Sequence, residues 1–399
     1  MTPEATWKGA ASAVARRAVA LSGCGKPASP PQGDAAGGSA AEAPADKKPD
    51  AVSQASADTG NPPEWAGKEL PARQIPNIPQ AAEAYYSPDN IHVIAQTQDA
   101  AAQRPEGENV GGALTYTFTD TGEEITRIND HGQDACSWFV LPDGKRLIWT
   151  STRDHMDMPL GNWAEPDDYP QGAELYTSDL YGKDVRRLTN HRWYDAEVTV
   201  SPNGKWIVWT RQINGKANLW RMQVDGGKEQ QVTFTGDWEP GAPFYLADND
   251  TIIFQAWRKS EYGRINPTPM VVFTIKADGS GLVQRTFDRD MSWGPGPAAD
   301  GRHSVFTRII DGDNHELFLG DLGGDPPLRL TYHAGFDGMK SFSRDSSKMV
   351  FVGLAGSPPA LYSHVMDLSS LKLGPENYRG IAQTPVPAGA ALVQDFTVR

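Results

Sequence analysis

Cysteine is nearly absent: the 399 residues contain two, Cys24 and Cys136. If Cys24 is processed or modified, Cys136 has no partner in the chain, so the fold is not a disulfide-stapled one. Long apolar runs are also missing. No stretch approaches the ~18 consecutive apolar residues that mark a membrane-crossing helix, so no transmembrane helix is expected. Basic residues are outnumbered, 37 Lys and Arg against 50 Asp and Glu, for a formal net charge of −13. That balance argues against a nucleic-acid partner, because affinity for such a polyanion comes from Lys and Arg neutralising phosphates.

The stretch from 190 to 233, NHRWYDAEVTVSPNGKWIVWTRQINGKANLWRMQVDGGKEQQVT, contains four short strands and the turns between them. Ala196–Val200 alternates towards a strand, and Ser201-Pro202-Asn203-Gly204 is a tight turn in which Asn-Gly supplies positive φ. Lys205–Arg211 is rich in β-branched and aromatic residues, as a buried strand should be. Turns at Asn214-Gly215 and Asp225-Gly226 lead into the third and fourth strands. A lone four-stranded meander has two open edges and an apolar face that it cannot cover, so it needs copies of itself.

The copies are there. The inner-hairpin turn recurs at Ser87–Asn90, Leu141–Gly144, Ser201–Gly204, Leu246–Asn249, Ala298–Gly301 and Ser343–Ser346. The strands IHVIAQ, RLIWTS, WIVWTR, TIIFQA, HSVFTR and KMVFVG follow these turns. Outer hairpins turn at Asp120, Asp179, Asp225, Asp278 and Asp321 and lead into strands ending at Thr126, Thr189, Thr233, Thr286 and Thr331. A spacing of roughly 45 to 60 residues is the period of propeller blades. The expected fold is all-β: a six-bladed β-propeller with four-stranded blades over residues 79–399, after a signal at 1–24 and a linker at 25–78. Twelve Trp fit large aromatic anchors between blades.

The segments HRWYDAEVTVSPNGKWIVWT, LPDGKRLIWTS and ELYTSDLYGKDVRRLT, and more loosely HAGFDGMKSFSRDSSKMVF, resemble the WD40-like repeat of the TolB-like propellers. The resemblance covers residues 80 to about 370. It implies the six-bladed fold, without the α/β domain that precedes the propeller in TolB itself, and it implies a place in the bacterial cell envelope.

Residues 21–24, Leu-Ser-Gly-Cys, resemble a lipobox, which makes Cys24 a candidate lipidation site and the protein a lipoprotein of the periplasm anchored to the outer membrane. The 25–78 stretch lacks large apolar residues and periodicity, so a disordered tether is expected there. From Leu70 to Pro79, spaced Pro and Ile suggest an extended strip lying on the propeller. At the other end, Ala391–Arg399 alternates like a strand and is expected to complete the last blade.

Two regions are candidate sites. In a propeller the innermost strands start beside the central channel. Counting back nine positions from each inner turn gives Ala81, Ala135, Asp195, Pro240, Ser292 and Asp337. Counting back seven gives Glu83, Ser137, Glu197, Ala242, Gly294 and Met339. The expected channel mouth therefore carries four acids, Glu83, Asp195, Glu197 and Asp337, on a rim with Trp193, Trp238, Trp293 and Phe336. A structural role competes for Asp195 and Asp337, since such an Asp commonly bonds backbone amides between blades. The second region is the blade-two insertion 153–172, where Asp154, His155 and Trp163 are candidate partner-binding residues. His131, His191 and His333 recur at blade starts, too far apart around a ring to share an ion, and no zinc or EF-hand spacing occurs, so no metal and no cofactor is expected. Arg258, Lys259 and Arg264 in a further insertion, 257–269, form a basic strip.

The function these residues favour is a non-catalytic module binding an envelope protein or peptide, with membrane contact only through a lipid at Cys24. The alternative is a metal-dependent propeller hydrolase of the lactonase type with acidic channel ligands. No Gly-x-Ser-x-Gly elbow and no hydrolase domain after the propeller are found, so the prolyl-oligopeptidase arrangement is excluded.

Overall fold

The computed structural model describes residues 69–102, 112–310, 312–356, 359–387, 390, 393 and 396. The expectations for the signal, for Cys24 and for most of the tether lie outside these residues. Six four-stranded antiparallel sheets stand around one axis. Blades one to five open with the strands Ala81–Tyr86, Asp134–Phe139, Tyr194–Val200, Trp238–Tyr245 and Trp293–Pro297, and blade six opens with Asp337–Phe342. Each first strand packs on the next, and that of blade six packs on that of blade one, closing the ring. Among the described residues, helix is confined to two 3-10 turns, Ser369–Leu371 and Pro375–Asn377, and no helix is long and apolar enough to cross a membrane.

The repeated inner turn works as its residues require. The last turn residue is left-handed in every blade: Asn90, Gly144, Gly204, Asn249, Gly301 and Ser346. Gly and Asn tolerate that conformation best, which explains five of the six identities. The Asp or Asn before it bonds the backbone two residues on, as from Asp89 to Ile91 (2.8 Å), Asp143 to Lys145 (3.2 Å) and Asp300 to Arg302 (2.9 Å). On the outer side, Thr189, Thr233, Thr286 and Thr331 accept the N–H of a third-strand residue fourteen positions earlier at 2.9–3.0 Å. Thr126 does not take this role. Blade one has Asn129 at the equivalent place, and its Thr115 N–H goes instead to Asp134 of blade two at 2.8 Å.

Closure of the ring differs from expectation. The fourth strand of blade six is Ala72–Gln74, paired antiparallel with Ala360–Asp367. It comes from the strip before blade one, so first and last segments of the propeller share one sheet. Ile75 and Ile78 just behind it are buried among Val93, Val350 and Val365, and this apolar anchoring is what the spaced Ile signalled. The C-terminal segment does not fill that place. The Val393 N–H bonds Gln284 at 2.9 Å, and Phe396 stacks on Phe273 at 4.9 Å, so both sit on blade four.

Candidate functional site

Every first strand carries a bulge, and the bulge decides where the expected ring residues go. Glu83, Cys136, Glu197, Ala242, Gly294 and Met339 all have φ between 43° and 63°. In blade two the bulge is at Cys136 and not at Ser137. The turn of that blade is one residue longer, with the Val140 N–H reaching Arg146 O, so counting back from Gly144 stops one residue short. The residue equivalent to Asp195 and Asp337 is therefore Asp134, not Ala135. A non-glycine residue in this region costs on the order of 1 kcal/mol. In blades two, four and five the twist turns the bulge N–H towards the preceding blade. Cys136 N–H donates to Glu83 Oε2 and Ala242 N–H to Glu197 Oε2, both at 2.7 Å, and Gly294 N–H donates to Gln255 Oε1 at 2.5 Å.

The four acids thus lie inside the wall. All are buried. Glu83 and Glu197 bolt neighbouring blades together. Asp195 receives Arg211 Nε at 2.6 Å, Arg211 Nη2 at 2.8 Å and the Trp209 indole N–H at 3.0 Å. Burial works against the Arg211 charge, but the bonds to Asp195 and Glu229 outweigh it and raise its pKa. Asp337 is different: its Oδ2 has no hydrogen bond. Trp238 and Trp293 are buried, and Trp193 is half-buried. Arg258 lies over the Trp238 ring at 4.5 Å, and Lys340 bonds the Trp293 carbonyl at 2.9 Å.

The blade-two insertion closes the mouth that these residues surround. Trp163 and Tyr169 are buried against Tyr194, with Tyr169 stacked on it at 4.3 Å, and they cover Cys136. Burial, reinforced by Glu83, pushes the Cys136 thiol far up. The next residue, Ala164, joins Ala82, Trp257, Trp293 and Phe336 in one cluster contributed by blades one, four, five and six. Glu165 accepts from the Tyr262 hydroxyl at 3.1 Å, and Lys259 pairs with Asp167 at 3.1 Å, so the two insertions meet across blade three. Asp154 is exposed and pairs with Arg187 at 3.5 Å. His155 lies 3.5 Å from Glu174, yet burial and then Arg187 and Arg192 depress its pKa, while burial pushes Glu174 up to about 7. Among the described residues, no group of three or more His, Cys, Asp and Glu is arranged to hold a metal ion.

The opposite mouth, where the inner turns converge, is open. A basin of ≈ 490 Å³ is lined by residues of all six blades and by Pro375 and Tyr378. Beneath it lies an aromatic trio, Tyr85, Trp138 and Phe244, with ring centroids 4.6–6.4 Å apart, of which Trp138 and Phe244 line the basin. Tyr85 and Phe244 belong to opposite blades, so the trio closes the channel. The Trp138 indole N–H has no hydrogen-bond partner, and the Tyr245 hydroxyl is turned towards Arg221, whose effect opposes the burial that raises the Tyr245 pKa. Arg344 and Asp345 are exposed on the rim. The sequence signal for this site was the aromatic residue placed one or two positions before a turn, as in Tyr85, Tyr86, Phe244, Tyr245 and Phe342. The four acids lie towards the far ends of the same strands.

No protein-family model matches the chain. A TolB homolog of Chlorobaculum tepidum is 29% identical over 157 residues, 36% of this chain and 34% of that protein. A TolB homolog of Chlorobium chlorochromatii is 32% identical over 179 residues, 45% of this chain and 28% of that protein. The solved structure of TolB from Acinetobacter baumannii superposes with a TM-score of 0.50 at 15% identity, covering 72% of this chain and 63% of that one. The chain is a TolB-like six-bladed β-propeller. It matches well under half the length of these curated relatives. The structural likeness bears on the fold, so the site of this TolB-like propeller must be argued from its own residues.

Proposed function

We propose that this TolB-like propeller is a non-catalytic binding module of the bacterial cell envelope, located in the periplasm, and that the turn-side basin holds a segment of an envelope protein. The observation that carries the reading is the basin itself, an open concavity shared by all six blades with apolar and aromatic walls that include Trp138, Leu141, Val200, Phe244 and Phe342. Apolar side chains of a bound segment entering the basin would gain roughly 25 cal/mol per Å² of surface removed from water. Arg344 on the rim adds a cation on a protein of net charge −13, which suits an acidic or C-terminal segment. Resemblance to TolB supports the envelope setting, and Cys24, if lipidated, would tether the module to the outer membrane. The start-side mouth is filled by the blade-two insertion, so that loop acts in this reading as a plug, with Asp154 and His155 at its outer edge.

The test is site-specific photocrosslinking in cells, with the crosslinker at Ala299 in the basin wall or at the outer-surface residue Tyr181, which is 70% exposed. A discrete envelope-protein adduct from Ala299 and none from Tyr181 is expected. No adduct at Ala299, or identical adducts at both, would count against the basin.

A further inference from the structure

Blade three holds an internal guanidinium site, and blade six holds the same site without the guanidinium. In blade three, Asp195 pairs in register with Arg211, whose guanidinium lies over Trp209 at 5.2 Å and Trp220 at 4.6 Å. Glu229 supplies a second carboxylate at 2.8 Å. In blade six the residue in register with Asp337 is Gly353. The aromatic pair persists, since Phe351 faces His364 in the register of Trp209 and Trp220, with the rings stacked at 5.3 Å. A second carboxylate persists as Glu69, beside the outer strand. What has gone is the arginine, and with Phe351 in place of Trp209 the indole N–H has gone too.

Asp337, His364 and Phe351 close over Gly353, and beside them opens a cavity of ≈ 530 Å³ lined by Glu69, Leu70, His333, Asp337, Phe351 and His364. The Asp337 side chain is 5% exposed, and its Oδ2 accepts no hydrogen bond. The nearest cation is the His333 imidazole, with Nδ1 at 3.7 Å from that oxygen and Nε2 at 2.9 Å from Glu69. His333 is 60% exposed, so it stands at the entrance and does not fill the site. Glu316 of blade five also carries a buried oxygen without a partner, and its charge adds to the negative field at Asp337. The His333 pair at 3.7 Å leaves this oxygen short of a full hydrogen bond, and a planar fork of N–H donors is what matches a carboxylate flanked by aromatic faces.

We propose that this blade-six cavity binds an alkylguanidinium group held by Asp337 and by Glu69 as the second carboxylate, alongside the Phe351–His364 ring pair, as Arg211 is held by Asp195 and Glu229 in blade three. It lies towards the outer edge of blade six and is separate from the turn-side basin, so the two sites stand or fall independently. The group can arrive as free arginine or as an arginine side chain of a peptide.

The test titrates the full chain with ethylguanidinium at millimolar concentration, with the neutral isostere ethylurea as control, following melting temperature and the ring resonances of His364 and His333. A saturable rise in melting temperature with ethylguanidinium alone, accompanied by a shift of the His364 resonance, is expected. Asp337→Asn should weaken the binding at least tenfold. Because the ring resonances report on the wild-type protein, the result does not depend on that variant folding. Free arginine and N-acetylarginine methylamide then separate the sources: tighter binding of the capped form identifies a peptide, and tighter binding of the free form a metabolite. Equal response to ethylurea, a shift that does not saturate, or unchanged affinity in a folded Asp337→Asn protein would overturn the proposal.

Discussion

At the scale of single residues, the junctions between blades are where charge is buried, and burial sets how the charge behaves. Glu174 is fully enclosed, accepts the His191 N–H at 2.5 Å, and is pushed from an ordinary 4.5 up to about 7, chiefly by burial with Asp195 adding to it. The native state therefore keeps a proton that the unfolded chain has released between those two values. This group costs nothing below its unfolded pKa, and stability falls as pH rises from about 4.5 through about 7. The loss is roughly 2–4 kcal/mol at pH 8, at about 1.4 kcal/mol per pH unit of displacement. Glu174→Gln is expected to flatten that part of the stability profile and to raise stability at pH 8, as measured by denaturant unfolding at pH 5 and pH 8. A variant that keeps the wild-type slope would show that another group carries it.

At the scale of elements, a three-residue strand closes the ring. Ala72–Gln74 pairs with Ala360–Asp367, and its flanks add the Ile75 N–H to Ser363 O bond and the Asp367 N–H to Pro71 O bond. Ile75 and Ile78 bury the strip beside it, and without them Ala360–Asp367 would be an open edge. A chain beginning at residue 80 should melt well below one beginning at residue 60, and Ile75→Ala alone should cost about 2–4 kcal/mol. Removal of 391–399 takes away Phe396 and should leave blade six paired. Calorimetry of the three proteins decides the matter: a truncation at 80 that melts with the longer chain would mean that the ring does not depend on this strand.

At the scale of the whole molecule, the channel has one filled mouth and one open basin, and the blade-two insertion makes the difference. Trp163, Tyr169 and Ala164 sit over the start-side ends of the first strands, with Cys136 beneath them at 2% exposure. In a Cys24→Ser background the remaining thiol should resist maleimide in the folded protein. Replacing residues 156–170 by a short Gly-Ser link should speed its labelling by orders of magnitude while the blades stay folded by circular dichroism. Labelling at the wild-type rate would mean that the insertion does not shield the channel.

The sequence by itself determined the blades. Their number, their inner turns and the hydrophobic second strands are local matters, set by which residues accept positive φ and which prefer a pleated, buried strand. It also placed Glu83, Asp195, Glu197 and Asp337 at matching positions near the channel, because a repeat carries its spacing with it. Tertiary structure decided the rest. A one-residue difference in the blade-two turn moved the bulge from Ser137 to Cys136. The partners of each acid lie on another strand or in the next blade, and pairing across such distances leaves no trace in local spacing. The residues of the closing strand lie 290 to 294 positions from their partners, where propensity for a strip of three exposed residues says little. Which mouth stays open depends on where an insertion with no repeat of its own comes to rest, and only packing in three dimensions fixes that.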